Sequence, residues 1–341
     1  MSMSKPNLID LPDLNMYRET FINEGLSLPL PKVSFSPNGL LSELPSPDIN
    51  KVGWPWTVES EIDSYSSVKQ TSWPKISIVM PSYNQGKFIE ETIRSVLLQN
   101  YPNLEFIVCD GGSNDKTQEI LERYKPWLSF CQSKKDKGQG HAINLGFSIA
   151  SGDYFGWINS DDFYLPNCFR TLAEHFQTTS AEFIYGDAII FYDDTQNISY
   201  WQANLVLDRY LRFGGLIASH AAFWKSSIHQ PIWERMNCNV DGELWLRLVP
   251  RIIKSHLRYP LSVCRVQTQS KSSSHTFIPL WREDDVNIAS IYGLPPYSRS
   301  FISYEYRLVQ SIYKASTKRL IIQNIKELIS QNIINPKLIL Y

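Results

Sequence analysis

Short apolar runs alternate with amphipathic segments between residues 75 and 176. A short apolar run is typical of a buried strand, whereas apolar residues spaced three and four apart are typical of a helix. These patterns predict strands at residues 75–81, 104–110, 127–133 and 153–159, and helices at residues 86–100, 115–124, 140–151 and 166–176. Strands that alternate with helices predict an α/β domain with a mostly parallel central sheet.

The alternation loosens after residue 182. The pattern then predicts an antiparallel strand pair at 182–194 and 198–203, a strand at 219–224, an extended segment at 256–267, and helices at 208–213, 241–249 and from about 301 onward. The first 74 residues are rich in Pro, Ser and Asn, although Trp54 and Trp56 favour packing, since exposed Trp pairs are costly. We therefore expect an N-terminal extension at 1–74, packed on the domain or partly flexible, an α/β domain at 75–275 and a helical region at 276–341.

The composition of the chain limits the kinds of binding partner and the cellular compartment that we expect. Lys and Arg total 33 against 34 Asp and Glu, so no global basic field favours nucleic acid. The five Cys residues are scattered without a C-x-x-C pair, which excludes zinc and thiol-redox motifs of that type and fits a reducing compartment. The N-terminus lacks an apolar signal core, and the apolar runs are shorter than the ~20 residues of a spanning helix. These features predict a soluble, cytoplasmic protein.

Polar residues follow each strand of the first half. The four stretches are residues 81–84, 110–113, 133–136 and 159–162, and three of them carry acids. Because ligands of an open α/β sheet bind outside the carboxyl ends of its strands, we expect the binding site at this edge.

The acids at that edge are Asp110, Asp136, Asp161 and Asp162. Crowded carboxylates repel each other, so a cation is expected among them. Oxygen ligands suit Mn²⁺ or Mg²⁺, which bind one or two carboxylates together with phosphate oxygens of a substrate. The alternative is an Asp-rich turn or a helix cap that binds no metal.

Two other phosphate-binding motifs are excluded. The chain has no G-x-x-x-x-G-K-[ST] sequence. The stretch at residues 138–143 starts like a dinucleotide fingerprint, but it follows the third predicted strand and ends on the bulky Ile143.

Four segments, in this order, resemble family 2 glycosyltransferases of the GT-A fold. They are "ISIVMPSYNQGKFIEETIRSVLLQNYPNLEFIVCDGGSNDKT", "DKGQGHAINLGFSIASGDYFGWINSDD", "SHAAFW" and "VDGELWLRL", and the similarity covers roughly residues 75–270. The resemblance implies a three-layer α/β/α domain and a metal-dependent enzyme that inverts the anomeric centre of a nucleotide-sugar, with UDP-sugar as the expected donor. The implied acceptor is a hydroxyl of a saccharide, a lipid-linked molecule or a protein, in the synthesis of surface polysaccharide or glycoconjugates.

The resemblance also implies roles for individual residues. Those implied to bind the nucleotide-sugar are Pro81, Tyr83, Asn84, Asp110, Asp136, Gln139, Asn144, Asn159 and Asp161. The implied metal contacts are Asp161 and Asp162, and His220 and Glu243 are implied as acceptor or auxiliary residues. Asp241 matches the position of the catalytic base, which removes the proton of the acceptor hydroxyl.

Asp241 also lies where it caps the predicted helix at 241–249, and the two roles are compatible. The helix dipole lowers the basicity of a carboxylate at this end. A base role therefore requires compensation from burial or from a neighbouring acid such as Glu243.

The chain departs from the family pattern at four positions. Gly111 and Asn159 stand where many relatives have Asp, Gly242 stands where relatives often have an aromatic residue, and Gln267 stands where many relatives have a His that can ligate the metal. His220 and His275 are candidates to replace that ligand, although a lone His is more often a surface or core residue. If the ligand is lost, metal binding depends more heavily on Asp161.

Alternatives stay open for the role of the C-terminal tail and, because of the four departures from the family pattern, for the function of the chain. Apolar residues at helical spacing in residues 318–341 predict a helix packed on the domain, and the alternative is a helix at the inner membrane surface, near a lipid-linked acceptor. The alternative functions are a non-catalytic nucleotide- or sugar-binding relative, and a nucleotidyltransferase. The latter needs a basic loop after the first strand, where this chain has only Lys87.

Overall fold

A computed structural model describes residues 9–62, 73–213, 216–268, 270–271, 274–293, 301–331 and 333–334. The strands are β1 Ile76–Ser82, β2 Leu104–Asp110, β3 Phe130–Ser133, β4 Tyr154–Trp157, β5 Phe163–Tyr164, β6 Phe183–Tyr192, β7 Asn197–Trp201, β8 Ala222–Lys225 and β9 Lys254–Val266. The α-helices are α1 Leu14–Asn23, α2 Ile89–Leu97, α3 Thr117–Tyr124, α4 Gln139–Ile149, α5 Cys168–Thr178, α6 Val240–Leu248, α7 Ile278–Tyr292 and α8 Phe301–Ser330.

The strands form one sheet in the order β3-β2-β1-β4-β8-β6-β9-β5, with β7 paired to β6. β3, β2, β1 and β4 are mutually parallel, as predicted from their alternation with helices. The second half is mixed, because β8 runs antiparallel to β4 and β6, whereas β9 is parallel to β6. The predicted antiparallel pair is confirmed by β6 and β7.

Helices cover both faces of the parallel half, which makes this part of the chain a three-layer α/β/α domain. Ile76, Ile78 and Met80 of β1 pack in one core with α2, α3 and α5, while Val79 belongs to a second core with α4 and α6. This alternation follows from the period of two in a strand, and burial on both faces explains why β1 and β2 are near-continuous apolar runs.

Several element boundaries differ from the sequence prediction by two or three residues, and two of these differences have a local cause. β3 begins at Phe130 rather than at residue 127, because Lys125–Trp127 forms a 3-10 turn around Pro126, which cannot donate to a strand ladder. β8 begins at Ala222 rather than at residue 219, because Ser219–Ala221 forms another 3-10 turn.

The described part of the N-terminal region packs on the domain through two anchors. The buried guanidinium of Arg94 on α2 donates to the carbonyl oxygens of Pro45, Pro55 and Trp56. On the other face, Tyr17 of α1 donates from its hydroxyl to Glu234 over 2.8 Å. Each anchor satisfies polar groups that burial would otherwise leave without partners.

The described part of the C-terminal region is mainly helical, as predicted, and contains α7 and α8. Within the described ranges, no helix combines the length and the apolar character that crossing a lipid bilayer requires.

Candidate functional site

The turn between β4 and β5 carries the paired acids Asp161 and Asp162. Asp162 is buried, and its Oδ1 accepts a hydrogen bond from the backbone N–H of Arg265 on β9 over 2.9 Å. Arg265 also donates from Nε to the carbonyl oxygen of Asp161, while Thr92 of α2 donates to the carbonyl oxygen of Asp162. The turn is therefore fixed from two sides, and the half-buried carboxyl of Asp161 stays more accessible than that of Asp162.

The two acids are poorly compensated in the protein alone. Burial, and then the charge of Asp162, raises the pKa of Asp161 to about 7. Burial also raises the pKa of Asp162 to about 6. Gln267, at the end of β9, donates from Nε2 to Oδ2 of Asp161 over 3.2 Å but adds no charge. A bound cation would supply the charge that this pair lacks.

His220 and Cys264 complete a group of metal-ligating atoms. One ligand atom each from Asp162, His220 and Cys264 lies within 4.8 Å of the others. The Nδ1 atom of His220 forms a hydrogen bond with Ser262 over 2.7 Å, and burial lowers the pKa of His220 to about 4. A neutral imidazole can ligate a metal. With carboxylate and imidazole donors, the residues of this site can hold a divalent cation.

Asp241 lies near enough to this group for its charge to act on Cys264. Burial raises the pKa of the Cys264 thiol well above its usual range, and the charges of Asp162, Asp161 and Asp241 contribute to the same rise. Asp241 lies in the first turn of α6, where its Oδ1 accepts the N–H of Gly242 over 2.9 Å. Burial raises its pKa to about 6, so burial provides the compensation that a base at a helix N-terminus requires.

Glu243 does not contribute to that compensation in the structure. Its carboxylate is fully buried, forms a salt bridge with Arg247 over 2.7 Å, and accepts a hydrogen bond from Tyr292. This pairing occupies the side chain that we expected beside the acceptor. The glycine at position 242 is explained by local packing, because a larger side chain there would overlap the side chain of Asn239.

The ends of β2 and β3 bring Asp110 and Asp136 near each other. Asp110 is buried, and its carboxylate accepts hydrogen bonds from Ser113 and from Ser133, so it organises the loop after β2. Asp136 is half-buried, accepts the N–H of Gly138 over 2.8 Å, and has a pKa raised by burial. A Cβ on Gly111 would lie 3.1 Å from the Asp136 carboxylate, so an acid at position 111 would face Asp136 directly.

The end of β1 leaves an aromatic ring open to solvent. Pro81 is buried, but Tyr83 is 60% exposed. Asn84 has a φ of 51° and joins the loop after β2, because its N–H donates to Ser113 and its Oδ1 accepts from Asn114. The Tyr83 ring is therefore free to stack on a flat ligand.

Lys271 links the β4 turn to α4 and was missed in the sequence. Gln139 donates from Nε2 to Oδ1 of Asn159 over 2.8 Å, and Lys271 donates from Nζ to Oε1 of Gln139 over 3.0 Å and to the carbonyl oxygen of Asn237 over 2.7 Å. Burial lowers the pKa of Lys271, whereas the charge of Asp161 opposes that change. The sequence feature that could have identified Lys271 is its position as a single Lys in a Ser-rich stretch shortly after Gln267.

Asn144 lies outside this edge. It is fully buried on α4, where its amide bonds both backbone groups of Ile232 and the carboxylate of Glu234. Its side chain holds the segment at residues 232–234 and has no surface open to a ligand. The structure thus brings Asp161, Asp162, His220 and Asp241 together, and it engages Asn144 and Glu243 elsewhere.

The family described as Glycosyl transferase family 2 matches residues 77–231. Relatives include a Rickettsia typhi protein described as an uncharacterized glycosyltransferase, which is 40% identical over 29% of this chain and 31% of its own length. Glycosyltransferase GlyG of Streptococcus pneumoniae is 33% identical over 33% of this chain and 38% of its own. Chondroitin synthase of Escherichia coli is 36% identical over 30% of this chain and 16% of its own.

The matches therefore span well under half the length of these curated relatives. Among solved structures, residues 1–349 of S. aureus TarS in complex with UDP-GlcNAc superpose with a TM-score of 0.51 at 18% identity, covering 63% of this chain and 66% of that one. Residues 77–231 are therefore similar to glycosyl transferase family 2, and the central sheet has the GT-A fold.

Proposed function

We propose that this chain is a metal-dependent inverting glycosyltransferase, which moves a sugar from a nucleoside diphosphate sugar to an acceptor hydroxyl. The observation that carries the proposal is the group of ligand atoms from Asp162, His220 and Cys264, which lie within 4.8 Å of one another beside Asp161. Asp241 is near enough for its charge to act on the Cys264 thiol. A cation-binding acid pair and a separate, half-buried carboxylate are the two parts that such a transfer needs.

In the proposed reaction Asp241 is the general base. The acceptor hydroxyl gives its proton to the Asp241 carboxylate while its oxygen attacks the anomeric carbon. The bond from that carbon to the diphosphate oxygen breaks, and its electron pair leaves with the nucleoside diphosphate. A single in-line displacement inverts the anomeric centre, so one base is sufficient.

The proposed cation is Mn²⁺ or Mg²⁺, and Asp161 is its principal protein ligand. Asp162 is a second proposed ligand, but its Oδ1 is less available to the metal because it already accepts a hydrogen bond from the backbone N–H of Arg265. When bound, such an ion offsets the negative charge of the departing diphosphate. The raised pKa of Asp161 supports this assignment, because a nearby dication favours the ionised carboxylate.

Lys271 supplies a second positive charge for the diphosphate in this proposal. An ammonium has three N–H donors, and two of those of Lys271 point to the neutral oxygens of Gln139 and Asn237. Within the described residues, its charge forms no salt bridge with a carboxylate. A phosphate oxygen is a suitable partner for the remaining donor, and it would sit beside Asp161.

The nucleoside is proposed to lie at the ends of β1 and β2, with its base stacked on Tyr83. In this proposal Asp110 acts through the loop that it organises, and Asn159, which accepts a hydrogen bond from Gln139, contacts the ribose. We propose uridine as the nucleoside, because the TarS structure that shares this fold contains UDP-GlcNAc. The acceptor, a saccharide, a lipid-linked molecule or a protein, is proposed to bind beyond Asp241, among residues from about 182 onward.

Calorimetry with UDP in the presence and absence of Mn²⁺ tests the donor site, with GDP, ADP and CDP as competitors. We expect Asp161→Ala and Lys271→Met to weaken metal-dependent UDP binding by about tenfold or more. Glu119→Ala, an exposed acid on α3, is the matched control and should bind as the wild type does. UDP binding that is absent, or indifferent to Mn²⁺, would reject the enzyme proposed here.

Transfer itself is tested by hydrolysis of a panel of nucleotide-sugars, because slow donor hydrolysis needs no acceptor. A binding relative without catalysis would hold UDP and Mn²⁺ but cleave no donor. A nucleotidyltransferase is disfavoured by Lys87, the basic residue after β1, because it forms a salt bridge with Asp193 over 2.7 Å.

A further inference from the structure

The long helix α8 turns polar residues toward the protein. Gln310, Thr317 and Asn324 are buried and recur every seven residues along the inner face. Gln310 exchanges hydrogen bonds with both backbone groups of Leu205 over 2.8 and 2.9 Å, and Asn324 donates to the hydroxyl of Tyr200 over 3.2 Å. Gln202 donates to Thr317 between them. The helix is therefore held along β7 and the segment that follows it by side-chain hydrogen bonds.

The opposite face of α8 exposes large apolar side chains. Tyr304 is 62% exposed, Leu308 49%, Ile312 62% and Ile322 46%. We call these four residues the outward stripe, and at a rise of about 1.5 Å per residue it is about 27 Å long. The inner face also buries Leu328, so α8 has apolar side chains on both of its faces, whereas the apolar side of a typical surface helix faces only the core. A long exposed apolar stripe indicates a surface that another body covers.

Positive charge borders the outward stripe. α8 has five basic residues and two acidic ones, in a chain whose net charge is −1. Arg307, Lys318, Arg319 and Lys326 are exposed, and within the described part of the chain none of these four cations forms a salt bridge. The acid Glu305, by contrast, is engaged by Arg209 and by the Tyr210 hydroxyl. The partner of this face should therefore be apolar in its interior and negative at its surface.

We propose that the outward stripe docks on an anionic lipid bilayer, with α8 lying in the plane of the headgroups. Apolar side chains flanked by Lys and Arg are the pattern of an interfacial helix, which combines burial of apolar area with attraction to anionic lipids. The inner hydrogen bonds keep α8 on the sheet, so the outward face alone meets the membrane. A second copy of the chain fits less well, because two outward stripes would bring like charges together.

Flotation of the full-length protein with vesicles tests the proposal. We expect binding to phosphatidylcholine vesicles containing about 30% phosphatidylglycerol, at least about tenfold weaker binding to phosphatidylcholine alone, and loss of most binding at about 0.5 M salt. Leu308→Glu with Ile312→Glu should weaken binding by about tenfold or more, as should Lys318→Gln with Arg319→Gln. Ile49→Glu is the control, because Ile49 is 94% exposed and is not part of α8, so its change should have no effect.

Three results would overturn the proposal. The first is equal binding to the two kinds of vesicle, and the second is unchanged binding of the Leu308→Glu, Ile312→Glu protein. The third is a dimer, detected by light scattering without lipid, that this double variant dissociates, which would assign the stripe to a second copy. Thermal unfolding and binding of UDP with Mn²⁺ should match the wild type in every variant, so failure here is distinct from failure of the proposed transferase activity.

Discussion

The amide of Gln267 donates a hydrogen bond to the Asp161 carboxylate over 3.2 Å, across the gap between the end of β9 and the turn after β4. In family 2 glycosyltransferases many chains have a His at this position, which can ligate the metal. The contact shows that residue 267 does reach the acid pair. An amide satisfies one oxygen of Asp161 but supplies neither charge nor an imidazole ligand, which leaves Asp161 to dominate the proposed metal site.

Gln267→His should therefore tighten Mn²⁺ binding by about tenfold, because imidazole is a better ligand for a divalent transition metal than an amide. Titration of Mn²⁺ by electron paramagnetic resonance, with saturating UDP, measures the change. Thr268→His is the matched control, since residue 268 is exposed and follows directly in the chain. If the two His variants bind Mn²⁺ equally, residue 267 does not face the metal.

Asp161→Asn should stabilise the metal-free protein while it removes metal binding. Burial, and then the charge of Asp162, raises the folded-state pKa of Asp161 to about 7, above its unfolded value. An acid whose pKa is higher in the folded state does not lower the free energy of unfolding at a pH below its unfolded pKa. The loss of stability then grows with pH and reaches its full value once the pH exceeds the folded pKa. We expect a gain on the order of 2 kcal/mol in urea unfolding at pH 8, and almost none at pH 4.

The exposed Asp194→Asn provides the control for that comparison and should leave unfolding unchanged at both pH values. Mn²⁺ with UDP should stabilise the wild type through ligand linkage and leave Asp161→Asn unaffected. A variant that is less stable than the wild type at pH 8 would show that Asp161 is compensated by the protein itself.

Arg265 supports the acid turn from behind, and Arg265→Met should be strongly destabilising. Its guanidinium donates to the carbonyl oxygen of Asp161, to Asp193 and to Glu91, whose pKa is raised by burial. Removing one partner of a buried charge network leaves the others uncompensated, with an expected loss of about 3 kcal/mol or more. Urea unfolding at neutral pH measures this loss.

Arg170→Met is the matched comparison for Arg265→Met. Arg170 forms a partly exposed salt bridge with Glu174 over 3.0 Å, and surface pairs of this kind contribute about 1 kcal/mol or less. Similar losses in the two variants would contradict a central role for Arg265. Arg265→Lys should fall between them, because an ammonium cannot reproduce the planar fork of donors.

Asp284 of α7 holds the start of α6 in place, and its removal should impair transfer. Its buried carboxylate accepts the backbone N–H groups of Asn237, Cys238 and Asn239, which lead into Asp241. Asp284→Ala should cost about 2 kcal/mol or more of stability, since three donors lose a charged acceptor. It should also lower kcat more than it raises KM for the donor, because the donor site lies mainly on other elements.

Glu283→Ala is the control for Asp284, since residue 283 is the exposed neighbour on the same helix. Steady-state transfer with a nucleotide-sugar that the wild type accepts provides kcat and KM for both variants. A stable Asp284→Ala protein with unchanged kcat would show that α6 keeps Asp241 in position without this carboxylate.

The parts of the fold that the sequence predicted depend on local patterns. β1 and β2 are buried on both faces, so their apolar runs mark them without tertiary information. Asp161 and Asp241 come from short motifs, and the structure brings them near the same thiol. Arg265 and Lys271 were missed because their partners come from segments distant in the chain, and such pairing leaves little local signal.

Two other misjudged features have different physical causes. Glu243 was expected to act beside Asp241, but the Arg four residues later on α6 pairs with it, as helical spacing allows. The helix α8 packs on the domain through Leu328, as its apolar spacing predicts, but it also buries polar residues such as Gln310, which that spacing did not predict. The backbone of Leu205, in the segment after β7, pairs with Gln310, and the apolar spacing of the helix does not reveal this contact.

Asp241→Asn should abolish transfer and preserve donor binding, since the amide has nearly the same shape but cannot accept the proton. Burial raises the pKa of Asp241 to about 6, so the base is protonated and inactive below that pH. With saturating Mn²⁺ and donor, kcat/KM for the acceptor should rise about tenfold per pH unit up to pH 6 and level off above it. The variant should lose a factor of about 100 or more at pH 8, with no inflection near pH 6. Asp285→Asn, an exposed acid on α7, should keep the wild-type profile. An Asp241→Asn enzyme that retains the rate and the inflection would assign the proton to another group.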